Sequence, residues 1–161
     1  KNIIFAGDSA GGGLTLASIL KLKAEKMPLP AAAVCISPWT DLLATGENVQ
    51  EKAKVDPMLT PKLVHRFADI YTNGADKKNP FVSPLYGDYT DFPPLFIQVG
   101  TAEILLDDAK RLATKARTAG VDVELEIWDE MPHVFQAAYP YIPEAKKAIY
   151  SIAEYINRKI T

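Results

Sequence analysis

Short apolar runs alternate along most of the chain with longer segments in which apolar residues recur every three or four positions. The first pattern predicts strands and the second predicts amphipathic helices. The predicted strands cover 2–6, 31–37, 95–99 and 121–128, and the predicted helices cover 10–26, 61–71, 107–119 and 144–160. Because strands and helices alternate, the pattern indicates an α/β domain with a mostly parallel sheet and flanking helices.

The strand-like runs differ in the number of faces they are expected to bury. The runs at 2–6 and 31–37 are apolar on both faces, which is typical of strands inside a parallel sheet. The run at 121–128 alternates between polar and apolar residues, and this pattern favours a position near a sheet edge. In the first helix, the stripe formed by Leu14, Ala17 and Ser18 is expected to pack on the sheet.

The segment 38–93 holds half of the prolines and nearly half of the aromatic residues, and it shows few clear periods. Its helix at 61–71 has a proline in the first turn, whereas the prolines and Gly87 within 79–94 exclude a long regular element there. Insertions of this length in a compact domain are usually functional. We therefore expect this segment to form a lid or the wall of a pocket.

Composition narrows the class of protein further. The chain has 161 residues, of which 48% are hydrophobic, and a net charge of −2, which together suit one folded domain and exclude disorder. The absence of basic clusters argues against a nucleic-acid partner, and no apolar run is long enough to span a bilayer. Cys35 is the single cysteine. Together with the lack of a secretory signal pattern, it predicts a reducing, cytoplasmic location.

A G-x-S-x-G motif, Gly7-Asp8-Ser9-Ala10-Gly11, stands directly between a predicted strand and a predicted helix. This context is the one in which a sharp turn exposes a nucleophilic serine, here Ser9. The backbone N–H of Ala10 would then point at a developing oxyanion from a helix N-terminus. Asp8 is either a supporting hydrogen-bond group or a solvated turn residue. The alternative interpretation of the motif is a glycine-rich turn in which the serine only caps the helix.

A serine hydroxyl needs a base at neutral pH, and the chain has two histidines. His65 falls within the predicted helix at 61–71, where a solvated position is expected. His133 follows the last predicted strand in a short loop. The loop after the last strand is where a hydrolase with this motif places its base, so we predict that His133 serves Ser9.

The third group should be an acid that follows the strand at 95–99. The candidates are Glu103, Asp107 and Asp108. Glu103 is close to the strand end and is favoured as the carboxylate that orients His133. Asp107 remains the alternative, although both aspartates also fit the acidic first turn of a helix. The order serine, acid, histidine is that of α/β-hydrolases rather than of chymotrypsin or subtilisin.

The chain resembles the C-terminal half of a hormone-sensitive-lipase-type carboxylesterase with the α/β-hydrolase fold. The matching stretches run through the chain in family order and are 7–12, 37–42, 56–59, 79–80, 83–86, 93–95, 100–108 and 131–135. The resemblance implies that Ser9, His133 and Glu103 are the nucleophile, base and acid, with Asp107 supporting the loop. It implies hydrolysis of small short-chain acyl esters, in some members also of lactones, with no cofactor and no metal.

Two features depart from the family pattern. Glu130-Met131 stands where many members have Gly-Met before the base. The family's upstream strands, its N-terminal cap and its His-Gly-Gly-type oxyanion loop have no counterpart in 1–161. We therefore expect 1–161 to be the C-terminal portion of one catalytic domain, either a fragment or one chain of a two-chain assembly. A homodimer is a further alternative.

The substrate pocket and the competing functions remain expectations at this point. The segments 39–43 and 81–86 are expected to line the acyl or alcohol pocket, and the alternative is that they are ordinary core or surface residues. The predicted pocket residues are Trp39, Phe81, Leu85, Val134 and Phe135. A peptidase or lactonase of the same fold would use the same catalytic groups. The alternatives of another class are a non-catalytic binding module and a half-domain that complements another chain.

Overall fold

The computed structural model describes residues 3–160. Within this range the strands form one four-stranded sheet in the order β1-β2-β3-β4, and every neighbouring pair is parallel. The strands are β1 (Ile4–Asp8), β2 (Ala32–Ile36), β3 (Leu95–Gly100) and β4 (Val123–Trp128). Because all strands run the same way, their carboxyl ends meet at one edge of the sheet, where the connecting loops can build a site.

Five α-helices connect or follow the strands within residues 3–160. They are α1 (Ala10–Ala24), α2 (Asn48–Glu51), α3 (Pro61–Thr72), α4 (Leu106–Thr118) and α5 (Pro143–Ile160). Short 3-10 helices lie at Pro84–Tyr86 and Phe135–Ala138. The start of α3 is set by Thr60, whose hydroxyl accepts a hydrogen bond from the Leu63 N–H, and by proline at the first helical position.

The sheet separates two hydrophobic layers. Leu95, Ile97 and Val99 of β3 pack with α1 and α4 on one face. Phe96 points to the other face and stacks on Tyr155 of α5, with 4.8 Å between the ring centroids. The alternation along β3 therefore places helices on both sides of the sheet, as a buried parallel strand requires.

The predicted parallel α/β architecture is confirmed, with shifts of one or two residues at most element ends. Asn2, part of the first predicted strand, lies outside the described residues. The last strand begins at Val123 and pairs only with β3 among the described strands, so its predicted edge position is confirmed. Within the same range β1 pairs only with β2, and Ile3 beside it is 64% exposed.

The packing prediction for α1 is wrong. Leu14 is 59% exposed, whereas Leu16, Ile19 and Leu20 are buried against the sheet. The helix buries a broad face of glycines and aliphatic residues, so the stripe of small side chains does not define the side that meets the sheet.

Candidate active site

Ser9 occupies the sharp turn between β1 and α1. Its backbone has φ 51° and ψ −121°, a conformation that is costly for a residue with a side chain. The Ser9 N–H donates to the Ile36 carbonyl (2.9 Å), and the Ser9 carbonyl accepts from the Trp39 N–H (2.9 Å). A Cβ on Gly7 would lie 2.3 Å from the Gly11 carbonyl oxygen, so this turn requires glycine at position 7.

A continuous chain of hydrogen bonds joins Ser9 to His133 and Glu103. The Ser9 Oγ lies 2.8 Å from His133 Nε2, and His133 Nδ1 lies 2.8 Å from Glu103 Oε2. His133 is 4% exposed and Glu103 is fully buried. In this geometry the imidazole can accept the serine proton while the carboxylate holds the Nδ1–H tautomer.

The other oxygen of Glu103 is fixed separately. Glu103 Oε1 accepts hydrogen bonds from the Gly100 N–H (2.8 Å) and the Ser37 hydroxyl (2.7 Å). Two donors on this oxygen leave Oε2 free to face the histidine ring. The carboxylate is therefore held in one orientation although it lies in a loop.

The histidine loop packs directly on the end of β3. A Cβ on Gly100 would lie 1.9 Å from the Met131 carbonyl oxygen, and the Ala102 N–H donates to that same oxygen (3.1 Å). Glu130 has φ 56° in this loop, the region that favours glycine. Its N–H donates to the Thr101 hydroxyl (2.7 Å). The loop thus keeps a glycine-like conformation at the position where the sequence departs from the family pattern.

Of the remaining candidates, Asp107, His65 and Asp8 lie outside the hydrogen-bonded chain, whereas Ala10 adjoins Ser9. The carboxylate of Asp107 accepts from the Asn48 N–H (2.8 Å) and therefore fixes α2 instead of the histidine. His65 is exposed on α3, as predicted, and Asp8 is exposed at the end of β1. Ala10 is the first residue of α1, so its N–H belongs to the first-turn amides that have no acceptor within the helix.

A second group of buried carboxylates lies next to this site. Asp108 is 1% exposed and accepts from the Thr40 N–H (2.7 Å) and the Asp41 N–H (2.8 Å). Burial raises the pKa of Asp108 to about 7. Burial also acts to raise the pKa of Asp41, but hydrogen bonds from Thr45, Leu43 and Tyr86 together lower it below its usual value.

An apolar cavity of about 580 Å³ adjoins Ser9. Its walls come mainly from α1 and from the segment between β2 and β3, including α3. Among residues 3–160, no charged side chain lines it. The lining residues are Ser9, Ala10, Gly11, Gly13, Leu14, Ala17, Trp39, Leu42, Leu59, Val64, Phe67, Ile70, Tyr71, Phe81, Val82 and Leu105. The surface beside the serine therefore suits an uncharged group.

The comparison with protein families identifies the fold. Residues 1–137 match a family model described as the alpha/beta hydrolase fold. The chain belongs to the α/β-hydrolase fold family. The predicted resemblance is also confirmed by solved structures, since the chain matches an esterase from the bacterial hormone-sensitive lipase family at 48% identity and a TM-score of 0.97. That match covers 99% of this chain and 54% of the esterase.

Curated relatives of this hydrolase-fold chain are named as esterases. An acetyl-hydrolase of Streptomyces hygroscopicus is 44% identical over 147 residues, which cover 91% of this chain and 49% of that protein. An esterase of Acinetobacter venetianus is 38% identical over 156 residues, which cover 96% of this chain and 52% of that protein. The chain thus spans about half the length of the curated relatives it matches.

The expected pocket of this hydrolase-fold chain needs a correction. Trp39 and Phe81 line the cavity, but Leu85, Val134 and Phe135 do not. Leu85 packs in the core between the sheet and α1, and Phe135 packs against α5. Val134 is half-buried, and its N–H donates to the Ser37 hydroxyl. Closeness in sequence to a motif did not reveal which way these side chains point.

Two buried polar residues of the hydrolase-fold site are not identified from the sequence. Ser37 contacts the carboxylate of Glu103. Asp56 lies in the insertion, and its carboxylate accepts from the N–H groups of Ile104 (2.9 Å) and Leu59 (2.8 Å). Both lie in stretches that carry the family resemblance, which was the available signal, but the resemblance alone assigns them no role.

Two further observations concern membrane-spanning helices and metal-binding clusters. No helix within residues 3–160 is both long and apolar enough to cross a membrane. The same residues contain no cluster of histidine, cysteine and acidic side chains that could hold a metal ion.

Proposed function

We propose that this chain carries the catalytic groups of a serine carboxylesterase that hydrolyses small, short-chain acyl esters. The hydrogen-bonded chain from Ser9 through His133 to Glu103 is the observation that carries the proposal. Serine, imidazole and carboxylate in this order form the arrangement needed to activate a hydroxyl at neutral pH. The esterase names of the relatives support the same class of reaction.

In the first half of the proposed reaction, the Ser9 oxygen attacks the ester carbonyl carbon while His133 Nε2 takes the hydroxyl proton. The Ala10 N–H donates to the oxygen on which negative charge develops. Glu103 stabilises the imidazolium and keeps its orientation. His133 then gives its proton to the leaving alcohol oxygen as the carbon–oxygen bond breaks, and an acyl-serine remains.

In the second half, His133 removes a proton from water, and the resulting nucleophile attacks the acyl-serine carbonyl. Collapse of the tetrahedral intermediate returns the proton to the Ser9 oxygen and releases the carboxylic acid. No redox or metal step is needed, because each proton moves between the substrate, water and His133. The apolar cavity beside Ser9 would receive the acyl group.

We propose this activity for a catalytic domain in which 1–161 forms the C-terminal portion and 38–93 forms a pocket-building insertion. The support is the coverage, since the chain spans about half of its esterase relatives. A hydrolase of this type uses a second oxyanion donor from a loop before the nucleophile. The loss of one such donor typically costs about 10²–10³ in rate, so the remainder of the domain is needed for full activity.

The decisive experiment measures hydrolysis of a p-nitrophenyl short-chain ester by the full-length protein and by two variants of it, Ser9→Ala and His65→Ala. Ser9→Ala should lower kcat by at least about 10⁴-fold, because no other group takes over the attack. His65→Ala is the matched control and should leave kcat unchanged, since His65 is exposed on α3. Retained activity in Ser9→Ala would overturn the assignment. A peptide amide and a lactone as alternative substrates distinguish a peptidase or lactonase.

A further inference from the structure

The end of β2 and the turn after it contact the serine turn, the acid and the loop that carries His133. The Ile36 carbonyl accepts from the Ser9 N–H, and the Trp39 N–H donates to the Ser9 carbonyl, each at 2.9 Å. Between them, the Ser37 hydroxyl donates to Glu103 Oε1 (2.7 Å). The hydroxyl oxygen of Ser37 in turn accepts a hydrogen bond from the Val134 N–H (3.2 Å). One short segment thus links the serine turn, the acid and the loop of the base.

We infer that Ser37 is a positioning residue, whose hydroxyl locks the Glu103 carboxylate to the His133 loop. The inference rests on the proposed function and names a residue that acts through Glu103, without touching the substrate. A serine hydroxyl has one proton to donate and can accept as well, which matches its two contacts here. The acid and the residue that follows the base are therefore held by one shared oxygen atom.

Burial makes this bridge effective. Ser37 and Glu103 are both fully buried, so water does not compete for the hydrogen bond between them. Removal of the hydroxyl would leave Glu103 Oε1 with the Gly100 N–H as its remaining donor. It would also deprive the Val134 N–H of its acceptor. The carboxylate could then rotate, and the histidine loop could move relative to it.

The backbone of Ser37 argues that the side chain itself is needed. Ser37 has φ 44°, in the left-handed region where glycine is most favourable and other residues cost about 1–2 kcal/mol. A glycine would meet the backbone requirement without this cost. A serine accepts the cost and supplies the hydroxyl, so backbone conformation alone does not account for its presence.

Three variants of the full-length protein separate the hydroxyl from the backbone. Ser37→Gly suits the positive φ but has no hydroxyl, Ser37→Ala lacks both advantages, and Ser37→Cys keeps a weak donor and acceptor. We expect kcat to fall by about 10- to 100-fold in the glycine and alanine variants, with KM within about twofold of the wild type. The fall in kcat should be smaller in the cysteine variant than in the glycine and alanine variants. The melting temperature of the glycine variant should exceed that of the alanine variant.

A matched control is Ser83→Ala, which removes another fully buried hydroxyl. Ser83 accepts from the Leu42 N–H (2.9 Å) and makes no contact with Glu103 or His133. This variant should lose stability and keep its kcat. If Ser37→Gly keeps the wild-type kcat, the hydroxyl has no positioning role and the inference is overturned. The inference is also overturned if Ser83→Ala lowers kcat as strongly as Ser37→Gly does.

A spectroscopic measurement distinguishes failure of this inference from failure of the proposed function. The proton between His133 Nδ1 and Glu103 should give a low-field NMR signal in the wild type, whether or not the ester is hydrolysed. This signal should broaden or disappear in Ser37→Gly. An unchanged signal in the glycine variant overturns the inference. An inactive wild type with a changed signal refutes the proposed reaction and leaves the positioning role intact.

Discussion

Two carboxylates follow β3 within six residues of each other, and their surroundings give them different roles. Glu103 and Asp108 are both buried, and each accepts at least one backbone N–H. The second oxygen of Glu103 faces Nδ1 of His133, and Nε2 on the other side of the ring can take the proton of Ser9. Asp108 instead accepts a hydrogen bond from the Asp41 N–H, and the charge of Asp41 adds to the effect of burial in raising the pKa of Asp108.

The comparison shows that burial alone does not mark a catalytic acid. Burial raises the pKa of Asp108 to about 7, yet its contacts are to the backbone of the segment after β2. That arrangement anchors the start of α4 to the insertion, which is a structural role. Glu103 is distinguished by its partner His133, which itself contacts Ser9, the proposed nucleophile.

The largest effect expected from this comparison is that of Glu103→Gln. The amide can no longer hold the Nδ1–H tautomer of His133 or stabilise its cation, so kcat should fall by about 10³- to 10⁴-fold. Asp107→Asn is the matched control, since Asp107 contacts the Asn48 N–H and is expected to leave kcat nearly unchanged. Steady-state ester hydrolysis measures both. A larger loss in Asp107→Asn would transfer the role of the acid to that residue.

Asp108→Asn should change the pH dependence of stability while the activity persists. The folded protein holds a proton on Asp108 up to about pH 7, whereas the unfolded chain releases it near the usual value of 3.8. Stability therefore falls as the pH rises through this window, and asparagine removes that slope. Between about pH 5 and pH 8, the wild type should lose about 2–3 kcal/mol more than the variant.

Urea unfolding of both proteins at the two pH values tests the Asp108 prediction. Asp41 contributes in the opposite sense, because its lowered pKa gives stability that is lost as the pH falls. Parallel pH profiles for the wild type and Asp108→Asn would show that Asp108 is ionised in the folded state near neutral pH. Burial would then not keep a proton on Asp108, and Asp108 and Glu103 would differ only in the groups they contact.

Arg111→Gln should have the smallest effect. Arg111 Nη1 lies 3.2 Å from Asp41 Oδ2, but its side chain is 38% exposed. Asp41 also accepts from the Leu43 N–H, the Thr45 N–H and the Tyr86 hydroxyl. We therefore expect a loss of about 0.5–1 kcal/mol in the free energy of unfolding. A loss above about 3 kcal/mol would show that the ion pair carries Asp41, and that this region depends on charge more than on backbone donors.

The sequence predicted the architecture because its periodicity is strong. β2 is a continuous apolar run, and Gln98 alone interrupts the apolar residues of β3. In α4, apolar residues recur at the spacing of one helical face, so the pattern predicts the elements and their order directly. The catalytic candidates were found because the motif around Ser9 requires a strand before it and a helix after it. Closeness to the strand end favours Glu103 over Asp107 as the acid. In the structure, Glu103 is the residue that contacts His133.

The missed features depend on contacts between distant segments. Ser37 is 66 positions from Glu103, and Asp56 is 48 positions from Ile104, so no local pattern links either pair. From the sequence, Leu85 is expected in the pocket as part of the segment 81–86, yet the 3-10 helix at Pro84–Tyr86 directs it into the core. The orientation of a side chain in an irregular segment is set by tertiary packing, which a single sequence does not reveal.

The parallel course of the strands separates the molecule into two ends with different tolerance to change. Ser9, Ser37, Glu103 and His133 all lie in loops at one end of the sheet. The connections that enter β2 and β4 lie at the opposite end, around Pro28 and Gly120. Insertions, labels or altered loop lengths at that far end would leave the reacting atoms in place, which makes it the natural site for attachment in engineering of this protein.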